Sequence, residues 1–259
     1  MPRVSRQGVS LHYADSGGDG QAVLFHTGAA GDGTMWADAG YTEVLGGRRH
    51  LLMDHRGHGR SDHPEGVEAH RLQKYVEDLV AVLDHARVDR AVLVGYSDGA
   101  LVAYAAAAFH PERVSAVVGI GGVDPPSFDV AGRLEEARSI RQDGIRAVLE
   151  ALSEGEDEPP PEWLMNTLCT TTTEMFALEI EGWSTGPDAW ALFPAIAVPT
   201  LIICGGREDH AGAAALAARA LRHGASVVVP DFGHLQIFWH GRDVTGRLIR
   251  EVLAGTAPR

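Results

Sequence analysis

The stretch AVLVGYSDGALVAYAAAAFHPERV, residues 91–114, contains an abrupt change of predicted structure. Its apolar start predicts a buried strand, and the alanine-rich run that ends before a proline predicts a helix. Only Gly-Tyr-Ser-Asp-Gly separates the two elements, which leaves Ser97 at the tip of a sharp turn. Such a turn crowds the backbone and pushes the serine side chain out above the sheet, and Gly95 and Gly99 relieve that crowding. The spacing therefore predicts an exposed hydroxyl that a neighbouring base could activate as a nucleophile.

The rest of the chain repeats this alternation of apolar runs and helical patterns. It predicts an α/β fold, with a mostly parallel central sheet and helices on both of its faces. The first two runs are joined by the turn-rich segment ADSGGDGQ, which predicts an antiparallel hairpin at the sheet edge. The predicted strands are Val9–Tyr13, Ala22–Phe25, His50–Met53, Ala91–Val94, Val114–Ile120, Thr200–Cys204 and Ser226–Val229.

One segment departs from the alternation. Residues 124–197 carry helical patterns and no convincing strand, and they include the acidic, proline-rich stretch SEGEDEPPP. We therefore predict a core formed by residues 1–123 and 198–259, with residues 124–197 inserted into it as a helical lid.

Composition limits the partners and the location. The chain of 259 residues carries 35 acidic and 22 basic side chains, a net charge of -13 at pH 7, and such a surface repels nucleic acid. No apolar run is long enough to span a bilayer, and the start MPRVSRQGVSLHYADSG lacks the apolar core of a secretion signal. We predict a cytoplasmic protein with no nucleic-acid or membrane partner. A homo-oligomer is compatible with the sequence.

On the motif around Ser97, the sequence resembles the α/β-hydrolase family over nearly its whole length. The resemblance implies that Ser97 is the nucleophile and that the helix starting at Asp98 points its N-terminus at developing negative charge. The stretch VLFHTGAAGDGTMW resembles the family's oxyanion loop, with Thr27 where glycine is usual. That match implies that the backbone N–H groups of Gly28 and Asp98 form the oxyanion hole. Ala29 replaces Gly28 if the loop register shifts by one residue.

The stretch MDHRGHGRSD closely matches a widespread signature of the same family. In the family it mainly shapes the loop beside the active site, so the resemblance assigns no chemistry to Arg56, His58 or Asp62. The histidines His55, His58 and His63 lack a carboxylate or cysteine that would complete a recognisable ligand pattern. We therefore predict no metal.

The family order of nucleophile, acid and histidine implies the other two catalytic residues. His234, in VVVPDFGHLQIFWHG, stands where the family has its base. The stretch VPTLIICGGREDH resembles the segment that supplies the acid, and it favours Asp209, although His210 stands where proline is usual. Glu208 and Asp124 remain open as alternative acids.

These residues imply a reaction on a small molecule. Serine at this turn disfavours the epoxide-hydrolase and dehalogenase branches, whose chemistry relies on aspartate there. The resemblance is strongest to small esterases and enol-lactonases, and it implies hydrolysis of an ester, lactone or thioester through an acyl-enzyme, with no cofactor. A carbon–carbon bond hydrolase, a lyase, a cofactor-free oxygenase and a ligand receptor on the same fold remain alternatives. The apolar side chains predicted to line the pocket are Trp163, Phe176, Trp183 and Trp190.

Overall fold

The computed structural model describes residues 2–121, 123, 130–154, 157–208 and 211–256. Within those residues, eight strands form one sheet. The strands are β1 Arg3–Arg6, β2 Val9–Asp15, β3 Ala22–His26, β4 Arg49–Asp54, β5 Ala91–Tyr96, β6 Val114–Ile120, β7 Thr200–Gly205 and β8 Gly224–Val229.

The sheet is mostly parallel. Its strand order is β1-β2-β4-β3-β5-β6-β7-β8, and every pair from β4 to β8 along that order is parallel. All residues of β3, β5 and β7 are buried, as expected for strands covered by helices on both faces. The predicted α/β fold is confirmed.

The predicted hairpin at the sheet edge is wrong in its pairing. β2 pairs antiparallel with β1 and with β4, whereas β3 lies inside the sheet between β4 and β5. The apolar β3 buries all of its side chains there, while the short polar strand RVSR takes the edge. Gln7 and Gly8 join β1 to β2 with φ of 48° and 85°, the left-handed pair that a tight hairpin turn uses.

Helices cover both faces of the sheet. Along the strands, alternate side chains enter two separate buried clusters, so that Leu24 and Leu93 pack on one face and Phe25 and Val94 on the other. None of the described helices is long and apolar enough to cross a membrane. The helices are α1 Thr34–Asp38, α2 Tyr41–Val44, α3 Leu72–His85, α4 Asp98–Phe109, α5 Val130–Asp143, α6 Ile145–Leu152, α7 Glu162–Leu168, α8 Thr173–Ser184, α9 Ala189–Leu192, α10 Ala211–Ala220, α11 His234–Trp239 and α12 Arg242–Leu253.

Helices α5 to α9 lie between β6 and β7, and we call them the insertion. They fall in the segment 124–197 that the sequence predicts to be helical, of which residues 124–129 and 155–156 lie outside the described part. α8 packs directly on the core, because a Cβ placed on Gly182 would overlap the backbone carbonyl of His70.

Candidate active site

Ser97 occupies a strained turn between β5 and α4. Its φ of 53° and ψ of -129° lie in a sparsely populated region for a non-glycine residue. The turn is tight enough that a Cβ on Gly95 would overlap the carbonyl of Gly99, and a Cβ on Gly99 would overlap the carbonyl of Thr27. The glycine spacing is therefore a steric requirement of the turn.

His234 lies within hydrogen-bonding distance of the serine. Its Nε2 is 2.9 Å from Ser97 Oγ. The imidazole stacks on the ring of Tyr96, with centroids 5.3 Å apart, and the Tyr96 hydroxyl donates to the His234 carbonyl at 2.9 Å. Tyr96 thus holds both the ring and the backbone of the candidate base.

Among the described residues, Glu208 provides the carboxylate that contacts the His234 ring. Its Oε2 is 2.8 Å from His234 Nδ1, and its Oε1 accepts a hydrogen bond from the backbone N–H of Gly205 at 2.5 Å. A proton on Nδ1 directed at Glu208 leaves the Nε2 lone pair facing Ser97, which is the tautomer that a general base needs. Asp209 and Asp124, the other two candidate acids, lie outside the described residues.

Both predicted oxyanion donors belong to segments that border Ser97. A Cβ on Gly28 would lie 2.9 Å from Ser97 Cβ and 3.4 Å from Ser97 Oγ, so the loop approaches the nucleophile closely. Asp98 is the first residue of α4, whose N-terminus carries partial positive charge. Gly28, Ala29 and Asp98 all line the same cavity as Ser97.

The cavity above Ser97 has a volume of about 670 Å³, enough for a small organic molecule. Phe176 and Trp190 line it, as the sequence predicts. Trp183 instead packs edge-on against Tyr75 in the core, and Trp163 packs half-buried against the opposite core cluster. The charged lining is mostly acidic and comprises Asp98, Glu136, Glu154, Asp188 and Glu208 with Arg133 and Arg207.

Comparison with known families agrees with this geometry. A family model described as alpha/beta hydrolase fold matches residues 21–154, more than half of the chain. The chain belongs to the alpha/beta hydrolase fold family. This hydrolase-fold chain superposes with a TM-score of 0.84 on a thermophilic esterase from Thermogutta terrifontis, solved with malate bound. The two are 26% identical, and the superposition covers 100% of each chain.

Two further similarities differ in extent. An enol-lactonase from Burkholderia xenovorans LB400 superposes with a TM-score of 0.81 over 98% of this chain and 100% of that one, at 23% identity, which supports the shared fold. An epoxide hydrolase from Caballeronia sordidicola is 34% identical over 117 residues, which are 45% of this chain and 35% of that protein. The match therefore spans only about a third of that relative.

The family signature MDHRGHGRSD makes structural contacts in this hydrolase-fold chain. The Arg56 guanidinium donates two hydrogen bonds to the buried Asp78, at 2.7 and 2.8 Å. Asp62 accepts from the backbone N–H of Ser10 at 2.8 Å. These contacts fix the loop beside the candidate active site, as the resemblance implies.

A second group of polar side chains is buried below the oxyanion loop. His55, His58 and Glu179 each present one ligand atom, and these atoms lie within 4.8 Å of one another, close enough for one metal ion to contact all three. The sequence prediction of no metal assumed that no carboxylate completes the pattern, but Glu179 does lie there. Glu179 Oε2 lies 3.3 Å from His55 Nε2, an ion-pair distance without the geometry of a hydrogen bond. His63, the third histidine in that prediction, is exposed.

The sequence offers little indication of the contacts that Glu208, Glu179 and Tyr96 make. Glu208 directly precedes Asp209, the acid that the sequence favours. The sequence feature that points to Glu208 as an alternative is His210, which stands where the family usually has proline. Glu179 carried no local signal, because it meets the two histidines only through folding. Tyr96 lies inside the turn motif, but its contact with His234 is equally nonlocal.

Proposed function

We propose that this protein is a serine hydrolase that cleaves a small ester, lactone or thioester through an acyl-enzyme. One observation carries the proposal: Glu208, His234 and Ser97 form a continuous hydrogen-bonded chain that ends at the cavity. A hydroxyl at neutral pH needs an adjacent base to attack a carbonyl, and His234 Nε2 is at the required distance.

The proposed reaction has two halves. In the first, Ser97 Oγ attacks the carbonyl carbon while His234 Nε2 takes its proton, and the protonated imidazole then gives that proton to the leaving oxygen or sulfur. In the second, His234 Nε2 takes a proton from a water molecule as the water oxygen attacks the acyl carbonyl carbon. The bond to Ser97 Oγ then breaks, the imidazolium returns its proton to Oγ, and the carboxylic acid leaves. Glu208 stabilises the imidazolium in both halves because its carboxylate lies 2.8 Å from Nδ1.

Negative charge on the substrate oxygen needs donors at each tetrahedral intermediate. Gly28 and Asp98 border Ser97, and we assign their backbone N–H groups to this role. A preorganised donor of this kind stabilises the transition state by about 3 kcal/mol. The N-terminus of α4 adds its partial positive charge at the same point.

The cavity supports an uncharged small-molecule substrate. Its wall combines Phe176 and Trp190 with five carboxylate residues and only two arginines, so an additional anionic group would meet net repulsion. Apolar acyl groups can instead contact the two aromatic side chains. We therefore expect short neutral acyl chains to react faster than chains that end in a carboxylate.

A panel of p-nitrophenyl esters and lactones of increasing acyl length tests the proposal, with one ester that ends in a carboxylate. Wild type should hydrolyse members of the panel, and Ser97→Ala should lose several orders of magnitude in kcat while staying folded. Ser5→Ala, on the exposed edge of β1, is the matched control and should retain full activity. Hydrolysis at the wild-type rate by Ser97→Ala would refute the proposal.

A further inference from the structure

The oxyanion loop, residues 26–29, is held from below by two buried histidines. His55 Nδ1 is 3.1 Å from the Thr27 hydroxyl, and His58 Nε2 is 3.0 Å from the Ala29 carbonyl. These two contacts lie on either side of Gly28 in the chain. The peptide that carries the proposed oxyanion donor is therefore anchored at both ends by side chains from another loop.

Both histidines in turn face one carboxylate of the insertion. Glu179, on α8, is fully buried, and its Oε2 lies 3.3 Å from His55 Nε2 and 3.8 Å from His58 Nδ1. The Tyr75 hydroxyl donates to the same oxygen at 3.0 Å. Among the described residues, Glu179 Oε1 and His55 Nε2 are buried without a hydrogen-bond partner by strict geometry. Burying a carboxylate costs free energy unless nearby polar groups compensate for its lost hydration, and this carboxylate faces two ring nitrogens.

The contacts of His58 show what the carboxylate can do. Nε2 must carry a proton to donate to the Ala29 carbonyl, and Nδ1 then faces the Arg56 carbonyl at 3.1 Å and Glu179. A neutral imidazole has one N–H, so a proton on Nε2 leaves the Nδ1 lone pair on the side of the Arg56 carbonyl and Glu179. Glu179 Oε2 lies 3.8 Å from His58 Nδ1, beyond hydrogen-bonding distance, so it acts on His58 through packing and charge.

A third contact joins the same two regions. The backbone N–H of Gly31, just beyond the oxyanion loop, donates to the Thr171 hydroxyl at 2.9 Å, and Thr171 lies two residues before α8. Gly182 seats the other end of that helix against the backbone of His70. The helix that carries Glu179 is thus held near its start by Gly31 and near its end by the backbone of His70.

We propose that Glu179 is a positioning residue: through His55 and His58 it fixes the oxyanion loop on both sides of Gly28, so that the insertion and the oxyanion hole act as one unit. The inference rests on the proposed function of Ser97. It assigns to the insertion a part in the chemical step, in addition to lining the cavity.

The test compares Glu179→Gln with Glu181→Gln, a control on the same helix whose carboxylate pairs with Arg141 at the surface. Two quantities are measured on folded protein: kcat and KM for a p-nitrophenyl ester, and the affinity of an alkyl boronic acid, whose tetrahedral adduct places an oxygen in the oxyanion hole. A displacement of about 1 Å at a catalytic group costs on the order of 100-fold. We therefore expect Glu179→Gln to lose about 10- to 100-fold in kcat and a similar factor in boronate affinity, with KM nearly unchanged.

The remaining variants separate positioning from simple stability. Glu179→Asp should recover part of both losses, and Glu181→Gln should show neither. Thr27→Val removes one anchor without changing the shape of the side chain, so it tests the same link even if Glu179→Gln does not fold, and it should lower kcat and boronate affinity together. Unchanged kcat and boronate affinity in these variants would overturn the inference, while labelling of wild type at Ser97 would leave the proposed function intact.

Discussion

Replacing Glu208 with glutamine should disable the proposed base through its tautomer. The backbone N–H of Gly205 donates to Glu208 Oε1 at 2.5 Å, and that donor cannot change. The glutamine oxygen must therefore face Gly205, which turns the amide NH₂ toward His234 Nδ1. An imidazole that accepts at Nδ1 carries its proton on Nε2, so it can no longer accept the proton of Ser97.

The size of the loss follows from the role of the lost contact. An amide in place of the orienting carboxylate of a serine protease lowers kcat by about 10⁴, which corresponds to about 5.5 kcal/mol in activation free energy. Glu208 has the same geometry, with one carboxylate oxygen 2.8 Å from Nδ1 and a side chain only 11% exposed. We expect a loss of about 10³- to 10⁴-fold in kcat, with KM changed little.

The assay is steady-state hydrolysis of the best p-nitrophenyl ester by Glu208→Gln and, in parallel, by Asp209→Asn. The neighbouring variant is the matched comparison, because the sequence favours Asp209 as the acid whereas the structure brings Glu208 to His234. Asp209→Asn should keep most of the activity. If Asp209→Asn is the disabling change and Glu208→Gln is not, the assignment of the acid is wrong.

Three further predictions concern the base, the turn and the buried carboxylate. Because only neutral His234 accepts a proton, kcat/KM should rise with pH as the imidazole loses its proton and then level off. Gly99→Ala should lower the melting temperature strongly, since its Cβ would overlap the Thr27 carbonyl, whereas Gly212→Ala, with open space around it, should be neutral or slightly stabilising. Burial raises the pKa of Glu179 from 4.5 to about 7, so the folded protein favours the protonated carboxyl. The stability that this proton contributes is complete below about pH 4.5 and is lost as the pH rises through about 7. Relative to Glu179→Gln, wild type should lose about 3 kcal/mol of unfolding free energy between about pH 4 and about pH 8.

A different result would contradict each of these three predictions. A flat activity profile from about pH 5 to about pH 8 on an activated ester would exclude a histidine base. Equal melting temperatures for the two glycine variants would contradict the steric account of the turn. A pH-independent stability difference between wild type and Glu179→Gln, followed by urea unfolding, would mean that Glu179 does not titrate in the folded protein.

The turn around Ser97 and the parallel sheet could be predicted because their causes are local. Strand and helix patterns lie in continuous stretches, and the glycines at 95 and 99 follow from contacts within the same turn and one adjoining loop. The edge hairpin was mispredicted for a related reason. RVSR is too short and polar to stand out as a strand, so β2 was paired with the next apolar run in the sequence, which the folded chain buries two places further into the sheet.

The acid and the buried network depend on contacts that sequence order does not reveal. Glu208 and Asp209 are adjacent in the sequence, and the hydrogen bond between Glu208 and His234 is a contact that sequence order does not reveal. Glu179 meets His55 and His58 because α8 docks on the core, which is a matter of packing between distant segments. Among the predicted pocket residues, Trp183 has the right composition but faces the core.

Peptide mapping after reaction with a fluorophosphonate tests the central claim most directly, because the reagent bonds covalently only to a serine that is activated as a nucleophile. Wild type should carry one adduct, located by tandem mass spectrometry on Ser97, and the adduct should be absent from Ser97→Ala and strongly reduced in a His234→Ala variant. An adduct on a different serine, or none in a preparation that hydrolyses esters, would contradict the account.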